Sequence, residues 1–418
     1  MSEPNPSIEY MFEELFTFDL DAEESALVEA ISSLERLKAA AAARQARLAA
    51  ALDAARRAAE AAAGVPVVRR GRGVGAEVAL ARRESPARGG RYLGLAKALV
   101  YEMPHTLAAL ESGALSEWRA TLVVRESACL DLEDRRLLDK ELCSETGRLD
   151  GVGDAALVAA AKAIAYRLDP HAVVDRSARA AADRTVTIRP APDTMTYLTA
   201  LLPVAQGVSV YAALKRQADI CADARSRGQV MADTLVERVT GRPAEQPVPV
   251  AVNVVISDQA LLGGQKAAAV ITGYGPVPSA LAQTLIAAAV TDPRSHATLR
   301  RLYAAPATGA LVALESRSRL FPKGLADFLD LRDQRCRTPY CDAPIRHRDH
   351  AEPHHRGGGT SSQNGLGLCE YCNYTKEVPG WSVSAGTVEN GSHTADFITP
   401  TGARHQSTAP PQPGTAAA

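Results

Sequence analysis

Aromatic side chains are scarce in this sequence, at 5% of residues, although apolar residues reach 46%. Cores with few rings must be filled by alanine, leucine and valine, which favours closely packed helices. Net charge is nearly absent as well: a formal value of -1 leaves no global basic field of the kind that marks a non-specific DNA coater, so any attraction to nucleic acid must come from local patches. No apolar run approaches the roughly 20 residues of a membrane span. The start, MSEPNPSIEYMFEELFTFDLDAEES, is acidic and lacks the basic opening and continuous apolar core of a signal peptide. Only seven cysteines occur, and Cys129, Cys143 and Cys221 are scattered without pairing signals, as buried free thiols would be. A cytoplasmic location is expected, and its reducing conditions suit metal thiolates better than disulfides.

What is present falls into segments, and 418 residues are enough for two or three domains with cores of their own. From Asp21 to Ala63 an alanine-rich stretch carries Leu27, Ile31, Leu34, Leu48 and Leu52 near helical spacing. Lys38 and Gln45 interrupt a strict heptad, so a helical hairpin or a bundle contact is expected rather than an extended coiled coil. The break at GVPVVRRGRG holds Arg69, Arg70 and Arg72, which solvate a loop or touch phosphate. The pattern then stays helical to Asp183. Within it, Pro104 opens a helix, Gly113 makes a turn, and Ser116 caps a second helix bearing Trp118, Arg119, Val123 and Arg125. That is the outline of a helix-turn-helix, and equally of two ordinary bundle helices. TVTIRP (185–190) and VPVAVNVVI (248–256) alternate as half-buried strands, residues 195–239 read as helices, and residues 299–304 and 310–314 flank a hairpin turn. Pro322 opens a helix with Leu325, Phe328 and Leu329 that leads straight into Cys336.

The chain is organised around residues 336–376, CRTPYCDAPIRHRDHAEPHHRGGGTSSQNGLGLCEYCNYTK. Cys336, Cys341, Cys369 and Cys372 are spaced C-x4-C and C-x2-C, a layout that can close a tetrahedral Zn2+ site with no open position, hence a structural one. Chemistry needs a second ion. Asp349 is a hard oxygen ligand suited to Mg2+ or Mn2+, and His350 can be neutral near pH 7 and accept a proton. Asn373 follows Cys372, and helix neighbours point about 100° apart, so it can serve a different ion. Adjacent residues on a regular strand face opposite ways, which places the Asp349–His350 pair where a strand ends or bends. Gly357, Gly358 and Gly359 allow a tight loop behind it, and the Asn364 amide can hold that loop.

DH, GGGT, Asn364 and LCEYCNYTK together resemble the HNH endonuclease motif, in the variant where asparagine replaces the last histidine. SPARGGRYLGLAKALV, LSEWRATLVVRESACL, LPVAQGVSVYAAL, SRGQVMADTLVERVTG and GYGPVPSALA resemble the actinobacterial domain of unknown function 222. The resemblance implies His350 as general base, Asp349 and Asn373 as ligands of the catalytic divalent ion, Asn364 as the residue fixing the loop behind His350, and zinc on the four cysteines. His347 is a supporting candidate, His354 and His355 fall on a loop tip, and Arg346, Arg348 and Lys376 are candidate phosphate contacts. Two departures stand out: Asn373 is a weaker, neutral ligand than histidine, and Ala351 stands where a bulky aliphatic residue often follows the histidine.

The expected fold is α+β: an acidic tail over residues 1–20, a helical domain over 21–183, a mixed helix and sheet region continuing the family domain over 184–330, a zinc-stapled ββα-metal (HNH) module over 331–380, a closing hairpin over 381–406 and a disordered tail over 407–418. Three functions are compatible with it. A metal-dependent DNA endonuclease or nickase leads; a zinc-stabilised DNA-binding module without catalysis and a helical interaction protein with a structural zinc stand beside it. DNA is the expected partner, and the long first helix offers a stripe for homo-oligomer formation.

Overall fold

The structure, a computed structural model, describes residues 20–221, 223–245, 254–257, 260–261, 267–291, 315–316, 320–388 and 391–412. It is mixed α+β and mostly helical. Two compact units divide it: Met1–Gly71 with Arg91–Asp175, and Arg72–Gly90 with Arg176–Ala418. Among the described residues no helix is long and apolar enough to cross a membrane.

The first helix, α1 (Glu24–Ala62), is a single helix of 39 residues. It makes a bundle contact without folding back as a hairpin. Its buried face is Ala39, Ala42, Ala43, Ala46, Ala49, Ala50 and Asp53, whereas Ile31, Leu34 and Leu48 are exposed. The packed stripe is thus the alanine one, because methyl side chains at helical spacing let two helix backbones approach closely. After α2 (Val74–Ala81) and α3 (Pro86–Tyr101), the sequence continues through α4 (Pro104–Glu111), α5 (Glu117–Ser127), α6 (Leu132–Cys143), α7 (Asp154–Leu168) and α8 (Pro170–Ala180). Met103, Leu115, Val123, Leu138 and Leu157 share one core. Burial pushes the Cys143 thiol up to about 11, so it is an inert packing group there.

The helix–turn–helix outline is present in the backbone: Pro104 stands at the first position of α4, Gly113 is left-handed at φ 80°, and the Ser116 hydroxyl accepts the Arg119 N–H at 3.3 Å. Two of the side chains that would read a DNA groove are engaged by neighbouring parts of the bundle, Trp118 while remaining exposed. Trp118 Nε1 donates to Asp154 at 3.0 Å, and Arg119 donates to the Val152 carbonyl at 2.8 Å. The N-terminus of α4 has no local side-chain cap. Buried Asp139 of α6 takes that role from a distance, accepting from His105 N, Thr106 N and Thr106 Oγ1 at 2.8, 2.7 and 2.6 Å.

In the second unit, α2 is buried from Val74 to Leu80 and lays Ala76 and Leu80 against Trp381. Its buried Glu77 accepts from Thr401 N and Oγ1 at 3.1 and 2.9 Å. The first turn of α3 crosses it so closely that a Cβ on Gly89 would stand 1.9 Å from the Gly75 carbonyl oxygen.

Residues 195–239, expected to be helical throughout, begin instead with a strand. β1 (Thr185–Pro190) and β2 (Thr196–Leu201) form an antiparallel hairpin with Ile188 opposite Leu198. Asp193 and Thr194 both take positive φ in its turn, a geometry whose sequence signal PDT is weaker than the usual Asn-Gly. Both strands are exposed along their length rather than half-buried. Helices α9 (Val204–Ile220) and α10 (Arg227–Thr240) come next, then an antiparallel sheet of β3 (Val254–Val255), β4 (Ala269–Ile271) and β5 (Gly275–Val277), and α11 (Ser279–Thr291). Most of the strand expected at 248–256, and the hairpin expected around 299–314, lie outside the described residues.

β6 (Glu315–Ser316) leads to α12 (Lys323–Asp333), and the C-terminal region then adds β7 (His347–His350), β8 (Thr360–Ser361), β9 (Gly365–Leu368) and α13 (Glu370–Lys376). β7 pairs antiparallel with β9, and β6 with β8. The close is a three-stranded meander, β10 (Ser382–Thr387), β11 (His393–Ile398) and β12 (Arg404–Thr408), not a hairpin followed by disorder from 407. The extra strand is held by Arg337, which donates to the Ser407 carbonyl at 3.0 Å, and Gln412 beyond it is buried and donates to the Leu331 carbonyl at 2.9 Å.

Replacing Asp139 with Ala should destabilise the helical unit by about 3 kcal/mol, since it orphans two backbone N–H groups and a hydroxyl at once. A lower urea midpoint with unchanged slope is the expected outcome; an unchanged midpoint would refute the capping role.

Candidate metal centre

Cys336 and Cys341 sit on a short loop ahead of β7, in which Tyr340 takes φ 62°. Cys369 is the N-cap of α13 and Cys372 lies in its first turn; the Cys369 sulfur accepts the Cys372 N–H at 3.4 Å. All four cysteines are buried, and their sulfurs lie within 4.8 Å of one another. Cys341 Sγ is 3.9 Å from Cys369 Sγ and 3.7 Å from Cys372 Sγ. A tetrahedron with zinc–sulfur bonds of about 2.3 Å has edges of about 3.8 Å, so the thiols are close enough together to hold one metal ion such as zinc. Their mutual hydrogen bonds hold the Cys369 thiol well below the ordinary range and push Cys372 well above it, because four buried thiols cannot all ionise without a cation among them.

β7 runs between two helices. Its alternation puts His347 and Asp349 on one side, towards α13, where the His347 ring lies 5.9 Å from Tyr374 and Asp349 Oδ2 lies 3.0 Å from Lys376 Nζ. Arg348 points the other way and grips Asp330 of α12 through Nε at 2.7 Å and through Nη2. His350 ends the strand and is buried, with its ring 4.7 Å from Phe321. Its Nε2 is 2.8 Å from Thr360 Oγ1, and its Nδ1 is 3.5 Å from Asp349 Oδ1, which also accepts the His350 N–H at 2.8 Å.

The loop behind His350 is pinned by Asn364. Its Oδ1 accepts the Glu352 N–H at 2.8 Å, and its Nδ2 donates to the Glu352 and Gly359 carbonyls at 3.0 and 2.9 Å. The turn leaves no room for a side chain at Gly358, whose Cβ would stand 1.9 Å from the Glu352 oxygen. Asn373 stands one turn before Lys376 on α13, and its Oδ1 is buried with no hydrogen-bond partner.

Electrostatics separate the two titratable groups. Burial opposes ionisation of Asp349, but the Lys376 ammonium and the His350 N–H outweigh it and hold the carboxyl below its ordinary value. Burial lowers the His350 pKa against the pull of Asp349, which leaves the imidazole neutral at pH 7. The candidate phosphate contacts differ in availability: Arg346 is exposed, Arg348 is committed to Asp330, and Lys376 is buried against Asp349 and Glu377. His354 and His355 are exposed on the loop, with the His354 ring 5.7 Å from that of His350. Ala351 is buried and donates to the Asn364 carbonyl at 2.7 Å, so a small residue packs at that position.

Sequence reasoning gave no part to Thr360, although it closes the GGGT run, nor to Phe321. It also missed the buried group beneath the site. Asp333 binds Arg332 at 2.7 Å and Arg337 at 2.9 Å and accepts the Gly367 N–H at 2.7 Å. Arg337 continues to His393 Nδ1 at 3.1 Å, and His393 Nε2 lies 2.8 Å from the Gln363 carbonyl. Burial, with Arg332 and Arg337 alongside, pushes His393 down to about 4. Charged residues at such spacing look like surface residues in a sequence; their burial is a tertiary fact.

A histidine held neutral in the fold loses ground when the unfolded chain takes up protons. The second unit should therefore lose stability as pH falls from about 6.5 to about 4, by on the order of 3 kcal/mol in full. His393→Gln should flatten that part of the curve, measured by urea unfolding at each pH; an identical pH dependence in the variant would remove His393 from the account.

The family described as Domain of unknown function (DUF222) matches residues 29–333, from within α1 to the last residue of α12. No HNH endonuclease family matches the residues beyond it. No match is found among curated proteins or solved structures. With well over half of its length inside that match, the chain belongs to the DUF222 family.

Proposed function

We propose that the C-terminal region is a zinc-stapled HNH-type module and that the protein is a metal-dependent DNA endonuclease or nickase. The observation that carries this reading is the pairing at one strand end of a buried neutral histidine, His350, with an adjacent half-buried carboxylate, Asp349, which meets Lys376 of α13, the helix that also carries two of the four clustered cysteines and Asn373 with its buried, unpartnered amide oxygen. The strand, strand, helix order of β7, β9 and α13 supports it too.

Asp349 Oδ and Asn373 Oδ1 would hold a Mg2+ or Mn2+ ion, which when bound supplies positive charge to the phosphate and the departing oxygen. The remaining work falls to side chains. His350, with Nε2 against Thr360 Oγ1 and Nδ1 facing Asp349 Oδ1, would take a proton from water on its unprotonated nitrogen as the water oxygen attacks phosphorus and the 3′ oxygen leaves. Asn364 keeps the loop from drifting and so keeps the imidazole aimed. Arg346, exposed just ahead of β7, would meet a neighbouring phosphate, while Arg348 acts through Asp330 to fix β7 on α12.

The binding-module alternative draws on one observation, that Lys376 already neutralises Asp349. A plasmid assay separates the two. The wild-type chain should nick or cut with Mg2+ or Mn2+ and not with chelator, and His350→Ala should slow it roughly 10²-fold to 10⁴-fold at every ion concentration. Asp349→Ala should recover in part at high Mn2+. Wild-type rates in both variants would sink the site, and salt-dependent DNA affinity without cleavage by the wild type would favour the binding module.

The zinc assignment has its own check. One equivalent of zinc should copurify with the chain, and Cys369→Ser should lose it along with protease resistance of the residues after 333, since a structural zinc contributes on the order of 10 kcal/mol to folding. Retained stoichiometric zinc in that variant would overturn the four-cysteine site.

A further inference from the structure

Lys376 is a lysine with almost no access to water: its side chain is 3% exposed, and its ammonium lies 3.0 Å from Asp349 Oδ2 and against Glu377 Oε1. A buried ammonium costs heavily unless a counter-ion stays with it, so this pair is fixed in a way that surface pairs are not. It also stands in contact with the oxygen a divalent ion at Asp349 would use. Asn373, one helical turn earlier, keeps a buried amide oxygen that the ammonium does not satisfy. The site thus combines a carboxylate already holding a cation with an acceptor still lacking one.

Space for the ammonium to move exists alongside. A cavity of about 240 Å³ is lined by Lys376 together with Glu352, Glu377, Arg356 and Trp381. Glu377, already in contact with the ammonium, and Glu352 are carboxylates on that lining that could hold it once it leaves Asp349. A divalent ion bound to Asp349 and an ammonium touching the same carboxylate would repel each other at close range, in a partly buried place where water screens little.

We propose that Lys376 is a built-in competitor of the divalent ion: its ammonium holds Asp349 while the ion is away, and ion binding at Asp349 and Asn373 drives it into the neighbouring cavity. Resting on the divalent-site reading above, this gives Lys376 a positioning role in place of a phosphate contact. Ion affinity is then set by an exchange of cations, with the site's geometry maintained in both states.

The test uses the full-length zinc-containing chain without DNA, with free Mn2+ followed by its electron paramagnetic resonance signal. Lys376→Met should bind Mn2+ about tenfold tighter than wild type, because a like charge beside the site is removed, and Lys376→Arg should remain weak. Asp349→Asn should weaken binding severely in either background. Equal, measurable affinities in wild type and Lys376→Met would overturn the competitor role and leave the divalent site standing; no Mn2+ binding by any of them, with zinc retained, would bring down the divalent site and the proposal together. A second measurement needs no variant: acylation of Lys376 by a dilute amine reagent, followed by mass spectrometry, should rise when wild-type protein is saturated with Mn2+. Unchanged labelling at saturation would refute the displacement.

Discussion

The buried carboxylate of Asp333 is the constraint on which the C-terminal region depends. It lies between the Arg332 and Arg337 guanidiniums, and through them and its own oxygens it reaches α12, β9, β11 and β12. Burial opposes its ionisation, and the two arginines more than offset that, holding it charged. Removing one member of such a group leaves an unpaired charge in a dry interior, at a cost of about 3–5 kcal/mol. The elements that carry Asp349, His350 and Asn364 are therefore positioned by a polar interior as much as by an apolar one. Leu366, Leu368, Val383, Ala395 and Phe397 complete it around the cysteines.

That arrangement settles how the family match relates to the fold. The match stops at Asp333, yet Asp333 and Arg332 are interior residues of the cysteine-bearing region beyond it, and Phe321 and Asp330 touch His350 and Arg348. Strand β6, also inside the match, pairs with β8 at Thr360, the residue that meets His350 Nε2. A cut at the end of the match would strip the cysteine module of its supporting helix and of the strand beside the histidine. Here a sequence family boundary is not a folding boundary.

Much of this is legible in the amino-acid order alone, because its causes are local. The pairing of C-x4-C with C-x2-C specifies a four-sulfur cluster, the Asp-His pair ahead of three glycines specifies a strand end with a tight loop, and proline, glycine and serine punctuation specifies α4 and α5. What escapes depends on contacts distant in sequence. The β1–β2 turn lacks the usual glycine and is hidden beside a run of good helix formers. Leu48 is exposed while Ala46 and Ala50 are buried, since the partner surface and not hydrophobicity selects the face of α1. Arg332, Asp333, Arg337 and His393 carry no periodic signal, as polar residues are placed inside by one another.

Lys376 shows why the same residue types at a site can support opposite functions. A carboxylate with a divalent ion polarises a phosphate; the same carboxylate with an ammonium is a structural ion pair that binds nothing. Which state prevails depends on a difference between two large terms, the desolvation of the ion and the loss of the Asp349–Lys376 pair, each several kcal/mol in a partly buried setting. If the proposed ion binds there, Asn373 would contribute no charge to that balance, and Asp349 alone would favour the ion electrostatically. On the proposed reading, histidine in that place would add a stronger ligand and shift the balance towards the metal, whereas asparagine would leave the ion concentration to decide whether an ion or the Lys376 ammonium holds Asp349.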